Sequence, residues 1–330
     1  MTILGLEAGE AGPDHSPRSS DLAPRGRLSG LRGVGRPSRP GASRRAEGRA
    51  AATFLTVPVL AFIVFTALPI ALMMYYSFTE YDVLTAPKWV GLANYTKLFD
   101  DPFFYTALKN TAIYTLMYVP LGIVVSLATA LLLNRKVRAS RYFRVLFYVP
   151  VISSTVATAS IWYWMLNPQH GLVNIMLGWF GIDGPAWLYS STWAMPAIVL
   201  MSVWAGFGTN MVIYLAGLQN IPPELAEAAR TDGANGWQVF RHVTLPSLSR
   251  TTLLVTTLQI ISAFQVFDQA YVLTKGGPGN STVTLVYYIY DRGFAALQMG
   301  YASAISVVLF VVILVVSLLN ARIVNRTGDR

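Results

Sequence analysis

Runs of apolar residues long enough to cross a lipid bilayer recur six times between positions 53 and 324 of the chain. A bilayer core needs about 20 predominantly apolar residues as a helix, and hydrogen bonds within each span satisfy the backbone where water is absent. The six runs are expected at about 53–78, 107–133, 145–166, 193–218, 251–273 and 302–324. Pro58, Pro69, Pro120 and Pro150 fall inside them, and proline is tolerated in a span where neighbouring helices satisfy the freed carbonyl. The expectation is therefore an all-α polytopic membrane protein whose helices pack as a bundle. Composition agrees: of 330 residues, 54% are hydrophobic and only 12% charged, about half the charged fraction of an ordinary soluble domain.

The excess charge of +9 could suggest a nucleic-acid partner, but its placement argues otherwise. Residues 1–50 are rich in Gly, Pro, Ser and Arg; such a tail cannot bury enough apolar surface to order itself, so it is expected to be a disordered basic tail. Between the second and third spans lie Arg135, Lys136, Arg138, Arg141 and Arg144 without an acid, and after the sixth come Arg322, Arg326 and Arg330 against Asp329. The alternate loops carry Glu80, Asp82, Asp100 and Asp101 against Lys88 and Lys97, or Asp183 as the one full charge. The positive-inside rule then places both termini in the cytoplasm, which an even number of spans allows. Partners are accordingly the lipid bilayer and other proteins, with no nucleic acid.

Cysteine is absent, which removes disulfides, thiolate catalysis and cysteine-bound metal. His15, His170 and His242 are far apart in the sequence, with no HExxH spacing and no paired carboxylates inside a span, so neither a metal site nor an enzyme active site is expected. Lys275-Gly276-Gly277 is not a phosphate loop, because its lysine precedes the glycines and no GK[ST] occurs in the chain; it is expected to be a turn.

Residues 219–250, between the fourth and fifth spans, are the most informative stretch. Pro222 and Pro223 suit the first turn of a helix, with Glu224 and Glu227 near its positive end. Gly233 supplies a stop, and a second amphipathic helix is expected from about Asn235 to Val243, with Trp237, Phe240 and Val243 on one stripe. Ala228 and Ala229 permit close approach of another surface, and Glu227 and Asp232 can address a basic or amide-rich partner.

Glu227-Ala228-Ala229, Asp232-Gly233-Ala234 and Leu245-Pro246 resemble the EAA signature of ABC importer permeases. That resemblance implies the type I importer fold and a coupling helix that docks on an ATPase subunit. ATP and magnesium would then be bound by the partner, with no cofactor on this chain. It implies further partners: a second permease subunit, two ATP-binding subunits and an extracytoplasmic solute-binding protein. Trp89-Val-Gly-Leu-Ala-Asn-Tyr-Thr-Lys-Leu-Phe99 and Tyr271-Val-Leu-Thr-Lys-Gly-Gly-Pro-Gly-Asn-Ser-Thr-Val-Thr-Leu285 resemble outer segments of sugar permeases of the maltose and glycerol-phosphate type. The resemblance covers the transmembrane domain, residues 51–330, and extends to trehalose importers, so a disaccharide such as trehalose or maltose is the expected cargo.

Polar residues within spans are default candidates for a solute path. The third span offers Ser153, Ser154 and Thr155, the fourth Ser202, Trp204, Gly206, Thr209 and Asn210, and the fifth Gln259, Ser262, Phe264, Gln265, Phe267 and Asp268. Single Ser and Thr residues commonly bond their own backbone or join helices; Asn210, Gln259, Gln265 and Asp268 require partners. Alignment on the EAA loop puts Ser202, Ala205, Gly206 and Thr209, with Thr155, at positions that line a sugar site in the maltose-type permease, and Gly206 is the one left unchanged. The competing class is an ion-coupled secondary transporter of a polar solute, for which Asp268 is the intramembrane carboxylate.

Overall fold

The computed structural model describes residues 54–134 and 140–328, so the basic tail at 1–50 lies outside the described residues. Two units are distinguished, Met1–Ala61 and Phe62–Arg330; of the first, residues 54–61 are described and helical. Among the described residues, four helices are long and apolar enough to cross a membrane: α1 (Phe54–Ser77), α3 (Pro102–Asn134), α7 (Ala194–Gln219) and the apolar part, Met299–Arg322, of α14. Helix α14 runs Met299–Gly328. Between α1 and α3, two short antiparallel strands pair Thr79 with Trp89 and Glu80 with Lys88, followed by α2 (Ala93–Phe99).

The expected third span is not one continuous helix. Helix α4 (Ser140–Ile152) and α5 (Thr155–Met165) are bent against each other by 97°. Pro150 lacks an N–H, and the chain leaves helical geometry at Ser154, with φ −59° and ψ 127°. The Ser153 hydroxyl donates to the Val149 carbonyl at 3.0 Å, satisfying one acceptor freed at this end.

The expected fifth span is also divided. Helix α11 (Ser249–Phe264) stops and α12 (Asp268–Leu273) restarts, so α11 alone has 16 residues. The Val266 carbonyl in the gap accepts a 2.8 Å hydrogen bond from the hydroxyl of Thr284, so a side chain from a later loop satisfies an acceptor in the break. That loop is itself fastened to α3: the Asn110 amide donates to the carbonyls of Asn280 and Val283 at 2.8 and 3.0 Å. The remaining short helices are α6 (Leu172–Gly178), α8 (Pro223–Thr231), α9 (Gly236–Val239), α10 (Leu245–Ser247) and α13 (Leu285–Tyr290).

Helix α7 is the centre of the bundle, with 61% of its most apolar window buried. Ile198 and Met201 on α7, Tyr114 on α3, Ala263 on α11 and Ile305 on α14 belong to one buried apolar cluster. The Ser126 hydroxyl bonds the carbonyl of Gly122 on its own helix at 2.6 Å and lies 3.3 Å from that of Phe207 on α7, a small polar tie between closely packed spans. Outward, Phe65, Leu116 and Leu318 are exposed. Apolar surface of this kind suits hydrocarbon rather than water.

Candidate functional site

Two features stand out, a polar cavity inside the bundle and the segment between α7 and α11. The cavity has a volume of about 450 Å³ and is bounded by α3, the α4–α5 bend, α7 and the break between α11 and α12. Both helix interruptions therefore open onto one space. Unwound backbone is tolerated at membrane depth where it is enclosed by protein or lines a cavity.

Thr155, Ser202, Gly206, Gln265 and Asp268 line this space, as do Ser153, Ala205, Ser262 and Phe267. The other six candidates do not line it, and Ser154 among them is exposed. Trp204 packs edge-on against Trp162 with ring centroids 5.8 Å apart, and Thr209 is exposed. Asn210 is buried, and Phe264 belongs to the apolar cluster. The Gln259 amide is buried with neither its nitrogen nor its oxygen hydrogen-bonded.

Tyr114, Tyr118, Thr158 and Gln269 also line the cavity and were missed in the sequence. Tyr114 and Tyr118 stack with ring centroids 5.4 Å apart and planes 11° from parallel. Their spacing of four puts both on one face of α3, which was a usable signal. Apolar faces, hydroxyls, two amides and one carboxyl group thus converge on one concave space, the composition expected of a small-ligand site. Among its lining side chains Asp268 is the only full charge.

The segment after α7 is built from two adjoining caps. Helix α8 ends in a Schellman motif: the Gly233 N–H donates to the Arg230 carbonyl at 3.0 Å and the Ala234 N–H to that of Ala229 at 2.9 Å. Gly233 has φ +87°, left-handed geometry that glycine adopts without a Cβ penalty. Asn235 then begins α9 with a reciprocal capping box: the Gln238 N–H donates to Asn235 Oδ1 at 3.0 Å, and the Asn235 N–H to Gln238 Oε1 at 2.8 Å. The two caps fix how α8 turns into α9.

The second helix departs from expectation in its register. It passes from α9 into a π-turn at Phe240–Thr244 and then α10. Its buried residue is Val239, while Trp237 is exposed and Phe240 and Val243 half-buried. The wider π-turn shifts the stripe that a 3.6-residue period would give. No residue of α8 is buried; Glu227, Ala228, Asp232 and Gly233 are exposed, and Ala229 and Ala234 half-buried. The segment at Lys275–Gly277 is a turn, with positive φ at Lys275 and Gly276. Among the described residues no three His, Cys, Asp or Glu side chains gather as a metal site would require.

The chain is 39% identical to the probable ABC transporter permease protein YesP of Bacillus subtilis, over 84% of this chain and 91% of that protein. It is 40% identical to the arabinooligosaccharides transport system permease protein AraP of the same species, over 83% and 88%. A crystal structure of a bacterial ABC transporter involved in the import of the acidic polysaccharide alginate superposes with a TM-score of 0.72 at 25% identity, covering 86% of this chain and 98% of that one. The model of the binding-protein-dependent transport system inner membrane component family matches residues 119–329. The chain belongs to that family, and is a non-catalytic permease subunit of an ABC transporter.

Proposed function

We propose that this chain is the membrane-spanning subunit through which an ATP-driven importer takes up a neutral sugar. The observation that carries it is the cavity, which joins Thr155, Ser202, Gly206, Gln265 and Asp268 with the stacked Tyr114 and Tyr118. Aromatic faces suit the apolar face of a sugar ring, and the hydroxyl, amide and carboxyl groups suit its hydroxyls. At about 450 Å³ the space fits a disaccharide such as trehalose or maltose, or the end of a longer saccharide. The arabinooligosaccharide permease relative supports a sugar, whereas the acidic lining of Asp268 disfavours a uronate like the alginate of the solved transporter.

In this reading the chain crosses the cytoplasmic membrane six times, counting α4–α5 and α11–α12 as one broken span each, with both termini in the cytoplasm. The loop 219–250 then faces the cytoplasm. The exposed Glu227-Ala228 and Asp232-Gly233 dock on an ATPase, and the rigid pair of caps passes its closure to α7 and α11. A heterodimeric second permease, two ATP-binding subunits that hold ATP and magnesium, and an extracytoplasmic solute-binding protein complete the machine. Residues 1–50 form a basic cytoplasmic tail.

The test is uptake into proteoliposomes that contain the chain with its partner subunits and binding protein. ATP-dependent accumulation of a neutral disaccharide is expected. Accumulation driven by a proton or sodium gradient with no ATPase present would establish the ion-coupled alternative instead.

A further inference from the structure

A second cavity, of about 580 Å³, lies farther along the same two helices and is outside the site just described. On α5, Thr155 and Thr158 face the first cavity while Ser160, Tyr163 and Trp164 face the second. On α12, Asp268 and Gln269 line the first and Val272 and Leu273 the second. Thr155 and Tyr163 are separated by about 12 Å of helix at the ordinary rise per residue. Each volume lies within the roughly 300–1,000 Å³ of small-ligand clefts, and the two cavities share no lining residue.

The second compartment shares aromatic faces and hydroxyls with the first, but it has neither amide nor carboxyl group, and Lys275 is its one charged lining residue. Trp164 presents a broad face, 76% exposed. The hydroxyls of Tyr163 and Tyr189 lie 3.0 Å apart; one hydrogen bond between them leaves a proton and acceptor lone pairs for a ligand. Tyr189 stands just before α7, so two distant chain segments put their rings around one opening. A tryptophan at a span end can serve the membrane interface alone, but a tyrosine pair that lines a cavity with it calls for an occupant with both apolar faces and hydroxyls.

We propose that the second cavity is a further saccharide subsite in line with the first, and that the chain holds a linear saccharide of three or more units. The leading end sits among Thr155, Ser202 and Gln265, and the trailing units stack on Tyr163, Trp164 and Tyr189. The subsite rests on the sugar reading above and extends it from a single ring pair to a chain.

The test is calorimetric binding to the full-length protein in lipid nanodiscs, using maltose to maltopentaose and arabinobiose to arabinopentaose as probes. The five-unit member of the series that binds is expected to bind roughly tenfold more tightly than its disaccharide. Tyr189→Ala and Trp164→Ala should each remove most of that gain while leaving disaccharide affinity within about twofold. Both side chains are largely exposed, so neither truncation opens a cavity in the core. Disaccharide binding with no gain on lengthening, or a gain that survives both substitutions, overturns the subsite alone. Absence of binding for every member of both series overturns the sugar reading together with it.

Discussion

The amide of Gln259 on α11 fills the space that any side chain at position 122 of α3 would need. Gly122 lets the two helices approach, and the amide lies buried against it without a hydrogen bond. Polar groups placed this way are costly within a membrane protein, so Gln259 bears on packing and not on the cavity, which it does not line.

That relationship predicts a non-additive pair. Gly122→Ala should destabilise the protein by about 1–3 kcal/mol through overpacking, read as a fall in melting temperature of the purified protein in detergent. Gln259→Ala in the same chain should restore much of the loss, because the double variant removes the atoms that clash. Additive losses, or an unchanged melting temperature for Gly122→Ala, would show that the two residues do not compete for space.

The cavity separates residues that look alike in sequence. Gln265→Ala and Asp268→Asn, both at exposed cavity positions, should raise the half-saturation concentration of uptake roughly tenfold, as loss of a hydrogen bond to ligand would. Asn210→Ala, at a buried position off the cavity, should lower thermal stability with half-saturation nearly unchanged. Initial rates of labelled-sugar uptake, paired with melting curves, distinguish the two outcomes; a reversed pattern would move the passage toward Asn210.

What the sequence made legible follows from which physics is local. Gly233 could be read because a helix stop between two amphipathic stretches requires its backbone freedom, and it has φ +87°. Thr155, Ser202 and Gln265 could be read because polar groups in a span are costly. Gln259 and Gln265 differ only in what surrounds them, and the neighbours that decide, Gly122 for one and the helix break for the other, lie far away in sequence. The break after Phe264 was hidden for the same reason, since the hydroxyl that meets its carbonyl comes from Thr284. The α4–α5 bend was foreshadowed by Pro150 and the serines after it, but apolar periodicity continues across them. Tyr114 and Tyr118 were overlooked because aromatic residues in a span read first as lipid-facing or core.

Acid and alkali should loosen a clamp at the start of α3. Asp101 Oδ2 accepts from the hydroxyls of Tyr288 and Tyr301, the latter at 2.6 Å, and Asp101 Oδ1 from the Phe103 N–H at 2.9 Å. Burial pushes the Asp101 carboxyl up, but the two phenols, the N–H and nearby Arg292 together hold it below its ordinary value. Its contribution is therefore present above the ordinary carboxylate range and is lost as pH falls through the lowered value. Burial, then the bond to Asp101, pushes Tyr288 from 10.0 up to about 12, so its contribution is intact below 10.0 and is lost as pH rises toward about 12. Asp101→Asn should melt lower than wild type near neutrality, with the gap closing at both extremes. A gap that stays constant across the pH range would rule out the clamp.

At the loop, Gly233→Ala should cost about 1 kcal/mol from left-handed geometry and weaken coupling, while Gly233→Pro cannot adopt a φ of +87° and also loses the N–H bonded to Arg230. Glu227→Lys reverses an exposed charge without changing a cap. Pull-down of the ATPase subunit should fail for Gly233→Pro and Glu227→Lys, with membrane insertion of the chain unchanged. Retained capture by both variants would place the docking surface elsewhere.

The most direct measurement is sugar uptake against ATP hydrolysis in proteoliposomes reconstituted with every subunit and the binding protein, with wild type and Gly233→Pro compared side by side. Wild type should accumulate a neutral saccharide only with ATP and the ATPase present, and Gly233→Pro should abolish accumulation although the chain remains in the membrane. Accumulation without the ATPase, or at wild-type rate with Gly233→Pro, would contradict coupling through residues 219–250.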